Sequence, residues 1–261
     1  MEAASKIAVA GATGRVGRHV VDLLGRGGHE VVAMSRSVGV DVVTGDGLAE
    51  ALEGVACIID TATGPSPEQG PATEFFTTAA RNLHAAGERA GVRRIVAVSI
   101  IGCDRFRAGY NVAKVEHERA VLDGPVEGRV LRAAQFHEFV AQLLEWGNRG
   151  DVIYVPRMRT QLVAARTVAE ALVDLALDPD PATAGAAVPE IAGPREEEMV
   201  EAARLLASRR GDSTPIEGIS DPDDPDRDAF EGGGLLPSPH ATLGGPTFEE
   251  WLETALLGAA S

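Results

Sequence analysis

The sequence predicts an α/β protein, a doubly wound parallel sheet with a small C-terminal lobe. Three observations predict it. A short apolar run ends at Gly11-Ala12-Thr13-Gly14-Arg15-Val16-Gly17 and opens into a helical pattern with Val20, Val21 and Leu24 on one side. Short β-rich runs then alternate with helical patterns, the signature of a parallel sheet wrapped by helices. The run Ala56–Thr61 is apolar enough to be buried on both faces, as central parallel strands are.

The glycine turn carries the first functional expectation. Without a Cβ, Gly11 turns sharply, the backbone near Gly14 approaches a pyrophosphate, and Gly17 packs the helix on the strand. The N–H groups at the helix start then face the phosphates, aided by the helix dipole. Three glycines alone are a weak signal, but set between strand and helix they point to a dinucleotide.

Composition narrows the partners. The chain has 261 residues, 44% apolar but only 4% aromatic, so its core is built mainly from Ala, Val and Leu. A formal charge of −15 would repel nucleic acid and argues against a basic membrane patch. Two cysteines, Cys57 and Cys103, are too few for a disulfide framework. No apolar run is long enough to span a bilayer, and no signal-peptide-like segment precedes Lys6. These features predict a cytoplasmic protein, monomer or homodimer, acting on a small molecule, with no metal spacing among its histidines.

Taken in order, the second strand is His29–Arg36. About 20 residues past the glycine turn an NAD-binding fold expects an acid for the ribose. Ser35, Arg36 and Ser37 stand there instead, and a guanidinium with two hydroxyls suits a 2′-phosphate, so NADP is favoured over NAD. Arg15 adds a second charge. A third strand is expected over Val40–Thr44, followed by Asp46, which either accepts from the adenine amino group or caps the helix over Leu48–Leu52. Thr61-Ala62-Thr63-Gly64 follows the fourth strand at its carboxyl end, where ligands lie in open α/β sheets. Pro65–Pro71 is a loop lining the entrance, and Thr73–Ala90 is a long helix.

The fifth strand is Arg94–Ser99, the sixth Gly128–Ala133. Between them a helix beginning near Tyr110 carries Lys114, with Glu116, His117, Glu118 and Arg119 read as its exposed face. Tyr110 and Lys114 are four apart and share a helix side, and Ser99 ends the neighbouring strand. Such a set can reduce a carbonyl: the lysine lowers the phenol pKa and holds the nicotinamide ribose, the phenol protonates the oxygen, and the serine polarises it. A half-buried tyrosine and a surface lysine are the bland alternatives. Gln135, Phe136 and His137 follow the sixth strand; His137 is either an acid/base group or a satisfied helix-start histidine. A helix runs on to Arg149, which sets the expected boundary between a dinucleotide-binding domain, 1–150, and a smaller lobe, 151–261, interleaved with the same core.

In the lobe, Val152–Val155, Gln161–Ala164 and Val188–Ile191 read as short strands. Helices are expected from Thr167 through Leu177, over Glu196–Arg209, and over Thr247–Leu257 with Thr247 and Glu250 capping and Trp251 docking. Asp212–Glu231, rich in Asp, reads as a mobile surface loop or lid.

The Gly11–Gly17 turn, Val98-Ser99-Ile100-Ile101-Gly102, Tyr110 with Lys114 and Glu118, and Leu131-Arg132-Ala133-Ala134-Gln135-Phe136-His137 together resemble the atypical short-chain dehydrogenase/reductases, nearest the NmrA-like NAD(P)H-binding group. The likeness covers roughly residues 6–200. It implies a Rossmann fold and NADPH, with Gly11, Thr13, Gly14, Arg15, Val16, Gly17 and Arg36 around the phosphates. It also implies that Thr61, Ala62, Ser99, Lys114 and Ala133–Phe136 lie along the nicotinamide half. Ala133 departs from the proline that many such proteins carry after the strand's arginine. Because some members only sense the cofactor, an NADPH-dependent reductase of a small ketone, enone, quinone or imine stands beside a non-catalytic NADP(H) sensor, with a cofactor-retaining epimerase third.

Overall fold

The structure, a computed structural model, describes residues 4–179 and 188–259, with side chains to residue 254. In chain order the elements are β1 Lys6–Ala10, α1 Gly17–Arg26, β2 Glu30–Met34, α2 Leu48–Ala51, β3 Cys57–Asp60, α3 Gln69–Ala90, β4 Arg94–Ile100, α4 Gly109–Leu122, β5 Glu127–Ala133 and α5 His137–Gly147. They continue with β6 Ile153–Pro156, β7 Arg159–Thr160, α6 Ala165–Leu177, β8 Glu190–Ala192, β9 Glu197–Glu198, α7 Met199–Arg209, β10 Ile216–Ile219, α8 Arg227–Glu231, β11 Thr242–Leu243 and α9 Phe248–Ala259.

The chain divides into two compact units. The first takes the described residues of 1–99, 108–132 and 168–189; the second takes 100–107, 133–167 and the described residues of 190–261. Residues 100–107 and 133–150, within the expected dinucleotide-binding domain, group with the second unit, and the described residues of 168–189, within the expected interleaved lobe, group with the first.

In the first unit the strands lie in the order β5-β4-β3-β1-β2. β1 pairs in parallel with both β2 and β3, and β3 pairs in parallel with β4. Strand order therefore reverses at β1 and β3, the switch point where open α/β sheets bind ligands beyond the strands' carboxyl ends. This is the Rossmann-type fold that the alternation of strands and helices predicts. Its core joins Ala8, Met34, Ile58 and Ile95 of the strands to Leu83 of α3 and Val121 of α4.

One expected strand is absent. Val40–Thr44 is a series of turns, because the Asp41 carboxylate accepts the Val43 N–H at 2.7 Å and the Thr44 N–H at 3.3 Å, bending the chain locally. The side-chain amide of Asn82 satisfies the carbonyls of Val42 and Val43. Asp46 likewise makes no cap: Gly47 holds the N-cap position of α2, and Asp46 accepts from the Thr44 hydroxyl at 2.8 Å.

The second unit has its own core, in which Val140, Leu143 and Leu144 of α5 meet Met199, Ala203 and Leu206 of α7, Val155 of β6 and Phe248 of α9. Asp212–Glu231 is not the open loop expected. It contains β10, parallel to β6, and the short α8. Its aspartates act as turn formers: Asp212, Asp221 and Asp224 each accept an N–H two residues on. Asp226 is buried and accepts the Arg107 N–H at 2.8 Å. Gln161–Ala164 is not the expected strand: β7 ends before it at Thr160, and within the run Val163 forms an isolated bridge to Phe136.

The last helix starts as its sequence predicts. The Thr247 hydroxyl accepts the Glu250 N–H at 3.2 Å, and the Glu250 carboxylate accepts the Thr247 N–H at 2.9 Å. We expect Thr247→Ala to lower stability by about 1 kcal/mol, read from urea denaturation, by leaving a helix-start N–H without its acceptor.

Candidate active site

The glycine turn is held by close approaches that exclude side chains. Gly11 has φ +71°, and a Cβ there would lie 2.8 Å from the Ala62 backbone. A Cβ on Gly17 would lie 2.2 Å from the Gly11 carbonyl oxygen and 2.8 Å from Thr61 Oγ1. The Gly14 N–H donates to the Gly11 carbonyl at 2.8 Å, closing the turn, and the Thr61 hydroxyl donates to the Ala10 carbonyl at 2.8 Å. The switch point thus brings Gly11, Gly14, Gly17, Thr61 and Ala62 together. Val16 is buried at the N-cap position of α1, whose first turn carries no acid and whose start has no side-chain cap bond. Thr13 and Gly14 are exposed and Arg15 is half-buried. Arg36 is exposed, opening a 3-10 turn, Arg36–Val38, beyond β2, with the Ser35 and Ser37 hydroxyls hydrogen-bonded to each other at 2.8 Å.

A second cluster lies on α4. Lys114 is 4% exposed; its ammonium donates to the Val98 carbonyl and to His117 Nδ1, both at 2.8 Å, and sits 4.2 Å from the centre of the Phe76 ring. Val98 immediately precedes Ser99, which is buried near the end of β4. Tyr110 packs edge-on against the same Phe76 ring at 5.7 Å. Lys114 is therefore not the surface lysine of the bland reading. The phenol, however, is not lowered: burial pushes Tyr110 up to about 12.

The reading of His117 and Glu118 as exposed is also corrected. Three and four residues past Lys114, they fall on the same inward helix side, and both are buried. His117 stacks on Phe76 at 4.7 Å and reaches Asp60 Oδ2 through Nε2 at 3.2 Å. Glu118 takes two hydrogen bonds from Arg132, at 2.9 and 2.7 Å. Asp60 and His117 escaped the sequence reading. The available signals were an acid ending an otherwise apolar strand and a histidine one helical turn past a lysine.

In the second unit, Gln135 accepts a hydrogen bond from the Thr160 hydroxyl, and Phe136 bridges to Val163. His137 opens α5 fully buried, its ring beside Phe248 and Trp251, with Nε2 at 3.1 Å from the Pro246 carbonyl. That carbonyl can only accept, so Nε2 carries the proton. Burial holds the ring's pKa down to about 4, so it is neutral at ordinary pH. Cys57 and Cys103 are both buried, and burial pushes the Cys57 thiol up to about 12. Among the described residues no cluster could hold a metal, and no helix is long and apolar enough to cross a membrane.

Comparison with known proteins agrees with this geometry. Residues 11–135 match the NAD(P)H-binding family. No curated protein sequence matches the chain. Among solved structures, a short-chain dehydrogenase/reductase superfamily protein from Agrobacterium tumefaciens with bound NAD aligns with a TM-score of 0.68 at 19% identity, over 98% of this chain and 97% of that one. MoeE5 in complex with UDP-glucose and NAD also aligns at 0.68 and 19% identity, over 95% and 92%. The GDP-mannoheptose C4 reductase MlghC from Campylobacter jejuni with NADP bound aligns at 0.64 and 14% identity, over 84% and 88%. The chain thus resembles the NAD(P)H-binding family over residues 11–135 and shares the Rossmann-type fold of these solved structures.

The buried His137 has a measurable consequence for stability. Its pKa is depressed on folding from about 6.5 to about 4, so between those values the unfolded chain binds a proton that the folded chain does not. Its contribution to stability is full above the upper value and is lost as pH falls. Between about pH 7 and about pH 5 this costs about 1–2 kcal/mol. His137→Gln, which keeps a donor for Pro246 but does not titrate, is expected to lose that much less over the same interval in urea denaturation.

Proposed function

We propose that the protein is an NADPH-dependent reductase of a small carbonyl, enone, quinone or imine. The observation that carries this reading is the meeting of Lys114 and Tyr110 on the Phe76 ring, at the ligand end of a sheet whose switch point holds the glycine turn. A bound nicotinamide would supply hydride to the carbon of the substrate's double bond, and the electron pair left on oxygen or nitrogen would take a proton. Tyr110 supplies that proton, and Ser99 polarises the receiving atom. Burial keeps the phenol protonated at working pH, so the proton to be donated is present. Lys114 contributes its charge beside the nicotinamide ribose and not by acidifying the phenol. Thr61 and Ala62 line the middle of the cofactor.

Arg36 and Arg15 select NADPH through the 2′-phosphate, with Asp46 near the adenine. One observation supports the second reading, a non-catalytic NADP(H) sensor: the Lys114 ammonium is already bonded to Val98 and His117, as a purely binding or structural lysine is.

Two experiments divide these readings. NADPH is expected to bind more tightly than NADH by about 1.5–3 kcal/mol, an advantage removed in Arg36→Ala, as titration of each cofactor measures. Equal affinities in the unmodified protein would count against it. Under single-turnover conditions with an active substrate, Tyr110→Phe is expected to bind NADPH normally and lose about 10²–10⁴-fold in rate, whereas Lys114→Ala loses both rate and affinity. Tight NADPH binding with no oxidation across ketones, enones, quinones and imines favours the sensor.

A further inference from the structure

Lys114, His117 and Asp60 form a single hydrogen-bonded line. The ammonium can only donate, so its bond to His117 Nδ1 at 2.8 Å makes that nitrogen an acceptor. The ring proton therefore sits on Nε2, which donates to Asp60 Oδ2 at 3.2 Å. Asp60 Oδ1 accepts the Ala62 N–H at 2.9 Å. All three side chains are nearly removed from solvent, with Asp60 2%, Lys114 4% and His117 1% exposed. A lysine and an aspartate buried apart would each be an uncompensated charge, which is strongly unfavourable. Here a neutral imidazole joins them, and the line ends on the backbone of the turn that a Cβ at Gly11 would strike.

The charged groups acting on His117 are Asp60 from β3 and Lys114 and Glu118 from α4 itself, while α3 presents the uncharged Phe76 ring. Burial and the adjacent ammonium both hold the imidazole's pKa below its usual value. The ring is thus suited to pass polarisation without taking a second proton.

We propose that Asp60 and His117 are positioning residues for Lys114, an aspartate–histidine–lysine line that holds the ammonium at the ligand end of β4 and ties it to the Thr61–Ala62 turn. This rests on the reading of Lys114 as a contact of the nicotinamide cofactor. Through the line, the cofactor-facing turn and the cofactor-facing charge are set by one carboxylate. His117 and Asp60 touch no reacting atom; they act by fixing where Lys114 stands.

The test is a double-mutant cycle read by cofactor affinity, using whichever of NADPH and NADH binds the unmodified protein more tightly. Lys114→Met and His117→Leu are each expected to weaken binding about tenfold, and the double variant no more than either alone, since both remove one coupled interaction. His117→Gln can accept from Lys114 and donate to Asp60 with the two ends of its amide, and it is expected to restore affinity to within about threefold of the unmodified protein. A histidine that only fills space would give additive losses and no rescue by Gln, and that result would overturn the proposal. Side-chain ¹⁵N NMR of the unmodified protein needs no variant to fold. His117 is expected as the Nε2–H tautomer, with its Nδ1 signal moving on cofactor addition while that of His84 stays. A proton on Nδ1, or a stationary signal at saturating cofactor, overturns the line. Normal cofactor affinity in Lys114→Met instead overturns the role given to Lys114, and the tautomer then reports on the line separately.

Discussion

The first unit depends on one steric constraint: the chain at Gly11 and Gly17 has no room for a Cβ. At Gly17 the obstacle is a backbone oxygen 2.2 Å away, and a backbone oxygen cannot swing aside as a flexible side chain can. The start of α1, the end of β1 and the turn after β3 therefore form one contact. Because Thr61 also bonds the Ala10 carbonyl through its hydroxyl, the separation of these segments is fixed by hydrogen bonding as well as by exclusion. Everything placed at the switch point, including the Asp60 carboxylate, inherits that rigidity.

The α4 cluster shows how a nearly all-aliphatic core accommodates charge. Only 4% of the chain is aromatic, yet Phe76 serves three groups at once: it stacks on His117, lies beneath the Lys114 ammonium and meets the edge of Tyr110. A ring face attracts a cation and excludes water together. The price of burying Lys114 is thereby met partly by quadrupole and partly by the hydrogen bonds to Val98 and His117. The same burial raises the tyrosine and depresses the histidine, opposite directions from one cause, because each is kept in its neutral form.

Much of the fold was legible because its signals are local. The glycine turn, the apolar runs of β3 and β4, and the Thr247–Glu250 capping box each declare themselves within a few residues. The errors arose where a side chain competed with the backbone or where partners were distant in sequence. Asp41 turned an apparent strand into turns, and the aspartates of 212–231 built turns around a strand instead of leaving an open loop. At the candidate site, the spacing of Tyr110 and Lys114 was readable, but the His117 contact with Asp60 joins residues 57 positions apart. Within α4 the signal for a buried His117 is its place about one turn past Lys114, and the charged neighbours Glu116 and Arg119 mask it.

The threading of the chain bears on how it reaches this state. It passes between the two units after Ser99, Arg107, Arg132, Thr167 and Pro189. Neither unit is a continuous stretch, so the first is not complete until residue 189 has been made and the second not until the last helix emerges. During synthesis the first unit therefore cannot close before two segments of the second, 100–107 and 133–167, have been made. A fragment ending at residue 150 would leave β4 and β5 paired but would lack the part of α6 that belongs to their unit, and so would expose apolar surface that the full chain buries.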